Sequence, residues 1–302
     1  MKSGGTGRGA TGALGMLLAL ASGAAMANPV PWQLNMTKGV TPIAQQVYDL
    51  HMLGFWVCVG IGVVVFAAMG IAMFRFRRSR GAVAERWSHN TRLEVVWTVI
   101  PVLILIALAW PATTLLVKEV DTSNSALTIK VTGYQWKWRY DYVDYKGNAV
   151  SKVGFMSKLA FDSNKARQLD SGIDPWTVSD NGEHDYLLNV DHMLVLPTHT
   201  KIRFVITGGD VIHSWWVPEL GWKIDAIPGV VNEAWATIDT AGTYRGQCAE
   251  LCGQDHAFMP IVVKAVAPAQ FGQWLAAQQD AANLDRAART AQAEPAAAQP
   301  RG

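Results

Sequence analysis

Two runs of 23 residues, Met52 to Phe74 and Val95 to Val117, contain no charged side chain. About 20 apolar residues of helix suffice to cross a bilayer. A buried core helix is the competing explanation for one such run, but two in one chain argue against it. The chain is therefore predicted to carry a hairpin of two membrane helices, about residues 48–76 and 93–117. The link between them, residues 75–92, holds Arg75, Arg77, Arg78, Arg80, Arg86 and Arg92 against Glu85 alone. By the positive-inside rule this loop is cytoplasmic, which places both flanking segments on the other side. Pro101 and Pro111 fall inside the second run, where they kink a helix unless neighbouring helices relieve them. Thr91-Arg-Leu-Glu94 opens that run. Glu94 reads either as the capping-box partner of Thr91 or as a carboxylate placed to take up protons at the membrane face.

The segments on either side of the hairpin differ in character. The formal charge of the whole chain is +2, yet residues 1–118 carry +7, residues 119–267 carry −5, and the tail is balanced. An acidic middle segment implies a basic partner. At the N-terminus, Lys2 and Arg8 precede the apolar stretch Leu14 to Ala21, and Ala25-Met26-Ala27 follows. This is the pattern of a secretory signal removed after residue 27, its apolar core too short to span a membrane. Residues 28–118 then comprise the N-terminal segment and the helices.

From about residue 119 alternation replaces continuous apolarity. Leu127 to Thr132, Lys201 to Ile206 and Glu233 to Ile238 alternate, Pro260 to Val266 reads as a last strand, and glycine-bearing turns separate such runs. Short strands between turn signals predict an all-β sandwich or barrel over 119–268. Residues 146–186 fit this poorly, being polar and rich in Gly, Asp, Ser and Asn, and are taken as an insertion. Residues 269–302 form an Ala-rich, helix-permissive stretch with a disordered end.

The chemistry concentrates in Cys248-Ala-Glu-Leu-Cys252-Gly-Gln-Asp-His256-Ala-Phe-Met259 and, upstream, in Asp210-Val-Ile-His213-Ser-Trp-Trp. Soft sulfur with imidazole selects copper or zinc over magnesium or calcium. A disulfide between Cys248 and Cys252 suits an oxidising compartment but leaves His213, His256 and Met259 unexplained. A structural zinc site has no use for the thioether of Met259. A mononuclear electron-transfer copper needs two His, one Cys and a weak axial Met. The second cysteine therefore favours two coppers bridged by both thiolates, sharing one unpaired electron. Cys58 lies in an apolar run and reads as a small hydrophobe.

The motif Cys248 to Met259 resembles the dinuclear copper A motif of cytochrome c oxidase subunit II. The similarity extends through Gly133-Tyr-Gln-Trp-Lys-Trp-Arg-Tyr140, Asp210 to Pro218, Lys223-Ile-Asp-Ala-Ile-Pro-Gly229 and Phe258-Met-Pro-Ile-Val262. With the twin spans it covers roughly residues 40–275. The resemblance implies a cupredoxin-like Greek-key barrel or sandwich behind the helical hairpin. It implies that Cys248 and Cys252 bridge the coppers, that His213 and His256 each bind one, and that Met259 and the Glu250 carbonyl complete the two sites. The Glu250 side chain would bind a magnesium ion shared with subunit I. Trp136 would be where electrons arrive from cytochrome c, with Trp138 in the core. From the residues alone, both tryptophans alternate on a strand and could equally be packing. Asp141, Asp144, Asp210 and Asp225 would dock the basic rim of cytochrome c, and Lys146 departs from the acid common near there. Glu94 would stand at the mouth of a proton channel.

So read, the chain is the electron-accepting subunit of an aa3-type haem-copper oxidase of a bacterial inner membrane. Its partners are subunit I, with haem and copper B, subunit III and cytochrome c, and no nucleic acid is expected. The copper domain and both termini lie on the periplasmic side. A quinol-oxidase subunit lacks the intact ligand set, nitrous oxide reductase needs a propeller domain and no twin spans, and a copper chaperone uses few, exchangeable ligands. No Cys-x-x-Cys-His haem attachment motif occurs.

Overall fold

The computed structural model describes residues 25–27, 32–150, 153–180 and 183–293. Of the expected signal segment, residues 1–27, only Ala25–Ala27 are among the described residues, and the end of the tail lies outside them. Ala25–Ala27 forms a short strand, β1, parallel to Gly242–Tyr244.

Helix α1 spans Pro42–Arg75. Thr41, in an extended conformation, caps it by accepting from the Ala44 amide at 3.0 Å, and Pro42 occupies a position that needs no amide donor. At 1.5 Å per residue the helix is about 51 Å long, well beyond a hydrocarbon core of about 30 Å. Its excess at the N-terminal end docks on the soluble domain. There Ile43 and Ala44 are buried. Thr41 Oγ1 donates to the Leu220 carbonyl at 2.9 Å, and the Val40 amide donates to the Glu219 carbonyl at 2.9 Å. Gly221, at φ +94, lets the backbone of Ala44 approach where a Cβ would collide with it.

Helix α2 spans Thr91–Glu119 and contains both prolines. Its cap differs from the expected one. Asn90, not Thr91, accepts from the amides of Arg92 and Leu93, and the Glu94 carboxylate accepts from the Asn90 amide at 3.2 Å. Thr91 is already helical, so the reciprocal pairing moves one residue toward the N-terminus. Both helices are long and apolar enough to cross a membrane, and their apolar side chains stand exposed. The end of α2 is tied down where Trp235 Nε1 donates to the Lys118 carbonyl at 2.9 Å.

Beyond the hairpin two sheets pack face to face. One runs in the order β11 (Lys223–Ala226), β10 (His213–Trp216), β13 (Gly242–Cys248), β14 (Pro260–Val266) and β8 (Leu194–Pro197). The other runs β12 (Asn232–Ala236), β9 (Ile202–Gly208), β2 (Leu127–Tyr134), β3 (Lys137–Tyr145) and β4 (Asn148–Ala149), with β5 (Gly154–Ser157) also on β3. Alternation explains the core. Leu127, Ile129 and Val131 of β2 and Trp138, Tyr140 and Tyr142 of β3 point inward, against Trp215, Tyr244, Ile261 and Val263 of the facing sheet. Burying such a set at roughly 25 cal/mol per Å² drives the closure. The architecture is a two-helix hairpin followed by a cupredoxin-like sandwich. The segment read as an insertion contributes β4 and β5, a short helix α3 (Phe161–Ala166) and a two-residue hairpin, β6 (Ser179–Asp180) with β7 (Glu183–His184). Helix α4, Pro268–Ala293, packs Phe271 and Leu275 onto the domain, with Trp274 against Tyr142 at 5.2 Å between ring centroids.

Candidate metal centre

The start of β10, the end of β13 and the β2–β3 turn converge at one end of the sandwich. Pairing of Trp215 with Cys248 brings His213 and Cys248 together across 35 positions of sequence. The Cys248 amide donates to the Met259 carbonyl at 3.1 Å, which folds the loop 249–258 back on itself and sets Met259, fully buried, beside the first cysteine.

Cys248 Sγ and Cys252 Sγ lie 3.8 Å apart, both as free thiols. That is nearly twice a disulfide bond length of about 2.05 Å. His213 Nδ1 is 3.9 Å from Cys248 Sγ, and His256 Nδ1 is 3.6 Å from Cys252 Sγ. The Glu250 carbonyl sits 3.4 Å from Cys248 Sγ. Metal–sulfur and metal–nitrogen bonds of about 2.3 and 2.0 Å put S and N ligands about 3.5 Å apart on a tetrahedral ion, and two sulfurs about 3.8 Å apart. The sulfur–sulfur distance of 3.8 Å and the His256–Cys252 distance of 3.6 Å match these values and the His213–Cys248 distance of 3.9 Å is longer, so the donor set fits a soft metal bound between the thiols after a small shift of the His213 ring. Among the described residues, His213, Cys248 and Cys252 form the group of His, Cys and acidic side chains close enough to share one ion, and all three are buried.

The charge states follow from the surroundings. Burial pushes the Cys248 thiol up, but hydrogen bonds with His213 and with the backbone of Glu250 and Ser214 outweigh it and bring the pKa down to about 7. Burial, and then the neighbouring Cys248 charge, push Cys252 up to about 12. A bound cation would remove that repulsion. Burial works against charge on His213, yet its contacts to Cys248 and Asp210 hold its pKa above the ordinary value.

Asp210 fixes the His213 ring. Its Oδ1 lies 2.9 Å from His213 Nε2, and it also accepts from the amides of Gln135 and Val211, each at 2.7 Å. An ionised carboxylate only accepts, so Nε2 carries a proton, and Nδ1 is the ring nitrogen that faces Cys248. Burial raises the Asp210 pKa and these hydrogen bonds more than reverse it, keeping the group ionised. Gln135 reaches the other cysteine, donating from Nε2 to the Cys252 carbonyl at 2.9 Å. Gly133 lies directly beneath the His213 ring, where a Cβ would come within 2.7 Å of Cδ2.

Trp136 occupies the two-residue turn between β2 and β3, while Trp138 on β3 is fully buried. The Trp138 ring meets His213 edge-on at 5.9 Å. Trp136 is half-buried and lies against Gly253, next in sequence to Cys252. The four aspartates are not gathered at one point. Asp141 is ion-paired with Arg139 at 2.7 Å. Asp144 pairs with Thr128 near the far end of the β2–β3 hairpin. Asp225 lies on β11 opposite Ser214, exposed, and Asp210 is engaged with His213. The Glu250 side chain is exposed. Sequence reasoning missed Gln135 and the orienting use of Asp210. Both lie within motifs already singled out, so the motifs carried the signal, and only the pairing of strands shows what each residue touches.

Residues 127–266 match the family model "Cytochrome C oxidase subunit II, periplasmic domain", and residues 29–115 match "Cytochrome C oxidase subunit II, transmembrane domain". The chain is 38% identical over 250 residues to the probable cytochrome c oxidase subunit 2 of Rickettsia conorii, covering 83% of this chain and 73% of that protein. It is 40% identical over 251 residues to the mitochondrial cytochrome c oxidase subunit 2 of Vigna unguiculata, covering 83% and 63%. Among solved structures, the periplasmic domain of subunit II of the Bradyrhizobium japonicum cytochrome oxidase is 38% identical, with a TM-score of 0.43, and covers 53% of this chain and 97% of that one.

Proposed function

Because the chain belongs to the cytochrome c oxidase subunit II family, we propose that it is the subunit through which electrons enter the oxidase, taken from cytochrome c at a dinuclear copper A centre and passed to haem in subunit I, where oxygen is reduced to water and protons are pumped. The observation that carries this reading is the pairing of each thiol with its own imidazole, Cys248 with His213 and Cys252 with His256, around two sulfurs 3.8 Å apart. Cys248, Cys252, His213, His256, Met259 and the Glu250 carbonyl would hold the two coppers. The copper pair supplies one-electron chemistry with little rearrangement, since the change on reduction is spread over two metals.

The protein's part is to hold ligands still. Asp210 presents the correct nitrogen of His213, Gly133 leaves that ring its space, and Gln135 holds the Cys252 carbonyl. Trp136 would receive the electron, a role supported by its half-buried position against Gly253 of the ligand loop. Asp225 and the acidic surface of the domain would attract the basic rim of cytochrome c, with Asp141 and Asp144 serving an outer part of that surface. Asp210 contributes mainly through His213. Glu94, at the opposite membrane face from the domain, would admit protons toward subunit I while also closing the cap of α2. The exposed Glu250 carboxylate would bind magnesium together with groups of subunit I. The basic loop between the helices supports a topology in which the copper domain would lie on the periplasmic side of a bacterial inner membrane, the signal segment having been removed. Subunit III completes the expected neighbours.

Trp136→Phe tests the route. It is expected to slow electron transfer from reduced cytochrome c, measured by stopped flow, while leaving the dissociation constant for cytochrome c nearly unchanged. An unchanged rate removes the assigned role.

A further inference from the structure

Residues 158–191 leave the sandwich after β5 and return to it before β8, and their ends are clasped together. Lys158 and Asp191 exchange backbone and side-chain hydrogen bonds at 2.9 and 3.0 Å, the Ala160 amide donates to the Asn189 carbonyl at 3.0 Å, and Leu159 bridges Val190. Inside the loop Ser163 and Ala166 of α3 are buried, and the Leu187 amide donates to Ser163 Oγ at 3.2 Å. This is a closed loop packed by its own side chains.

Two arginines connect it to the segments that carry the sulfur ligands. Arg167, immediately after α3, forms a two-pronged ion pair with Asp255, Nη1 to Oδ1 and Nη2 to Oδ2, each 3.2 Å. The same guanidinium lies over the Phe258 ring, 4.3 Å from its centroid, while its Nε donates to Asn164 Oδ1 at 2.8 Å. Asp255 precedes His256, and Phe258 precedes Met259. From the other side Arg245 of β13, three residues before Cys248, faces Asp185 of the loop at 3.5 Å, both side chains nearly inaccessible. A fork–fork pair has fixed geometry, and Arg167 has lost most of its rotamer freedom already, to Asn164 and to the ring. Four-fifths of the Arg167 side chain is out of solvent, so salt screens the pair less than it screens a surface pair.

We infer that residues 158–191 form a strap that holds the metal-ligand loop in place, with Arg167 as the positioning residue for His256 and Met259. The inference rests on the reading of that loop as the copper-binding loop, but the positioning itself is a property of the metal-free chain. A fixed loop presents its donors without having to be ordered by the ion, and it resists opening when the ion is bound.

The test uses the full chain in detergent with Arg167→Ala, Arg167→Lys, Asp255→Ala and the Arg167→Ala/Asp255→Ala pair. Amide hydrogen exchange is followed first on copper-free protein. Arg167→Ala is expected to speed exchange of residues 253–259 about tenfold, with β2 and β9 unchanged, and Arg167→Lys, which keeps charge but loses the fork, to fall between. Asp255→Ala is expected to act like Arg167→Ala, and the pair to be no worse than either alone. After copper loading, release to a chelator is expected to quicken about 10-fold in Arg167→Ala. Wild-type exchange rates at 253–259 in Arg167→Ala overturn the proposal, as do additive effects in the pair. If the wild type takes up no copper while the exchange pattern holds, the functional reading fails and the strap stands.

Discussion

Cys248→Ser is expected to empty the centre. Serine has the same shape and is slightly smaller, so the sandwich still closes, but its hydroxyl stays protonated at neutral pH and offers a hard oxygen where a soft thiolate is needed. Cys248 is the sulfur with a pKa brought down to about 7, the one sitting against both His213 and the Glu250 carbonyl. Losing an orienting partner of a metal ligand costs about 10- to 100-fold in affinity, and losing a bridging ligand costs more. Copper retained after gel filtration should drop to background, and electron transfer from reduced cytochrome c should fall by more than about 100-fold. Metal analysis beside stopped-flow reduction checks both, and circular dichroism checks that the fold persists. Copper retained at the wild-type level removes Cys248 from the ligand set.

Gly133→Ala is expected to damage the same centre without touching a ligand. The added methyl would stand 2.7 Å from His213 Cδ2 and 2.9 Å from Cγ. The ring cannot yield easily, being fully buried, tethered to Asp210 on one edge and packed against Trp138. Either the ring swings away from Cys248 or β2 shifts from β9. Overpacking of this kind costs about 1 to 3 kcal/mol, which for a domain of this size lowers the unfolding midpoint by roughly 3 to 10 °C. Thermal melts should show that loss, and chelator competition should show copper released at least about 10-fold faster. A wild-type melt with wild-type copper retention means the ring is not held as described.

Much of this molecule is legible in its sequence, for definite reasons. Two uncharged runs of 23 residues leave little choice but membrane helices. The strands at 127–134, 202–208 and 232–236 follow from alternation, since one face of each strand meets the core, whereas 260–266 is legible as a short apolar run and is buried on both faces. The ligands between Cys248 and Met259 are legible because they are local. His213 is legible as a residue type, but its place beside Cys248 depends on the pairing of β10 with β13, which no local pattern encodes.

The misreadings have physical causes as well. Alternation runs on through Gly133-Tyr-Gln-Trp-Lys-Trp, although residues 135 and 136 form a turn. A two-residue turn preserves the period of two, so the pattern cannot reveal it. Asn90 and Thr91 are both good cap formers, and their order along the helix start decided which one serves. A carboxylate three residues before a histidine reads as solvated or as a docking group. Only the fold shows Asp210 on Nε2 of His213. Arg167 and Asp255 are 88 positions apart, and the polar segment around Arg167 carries no periodicity to place it.

Copper stoichiometry with electron paramagnetic resonance on the full, oxidised chain in detergent tests the central claim most directly. The account predicts two coppers per chain and a single unpaired electron whose hyperfine splitting comes from two copper nuclei equally. One copper per chain, or a spectrum localised on a single nucleus, would contradict it.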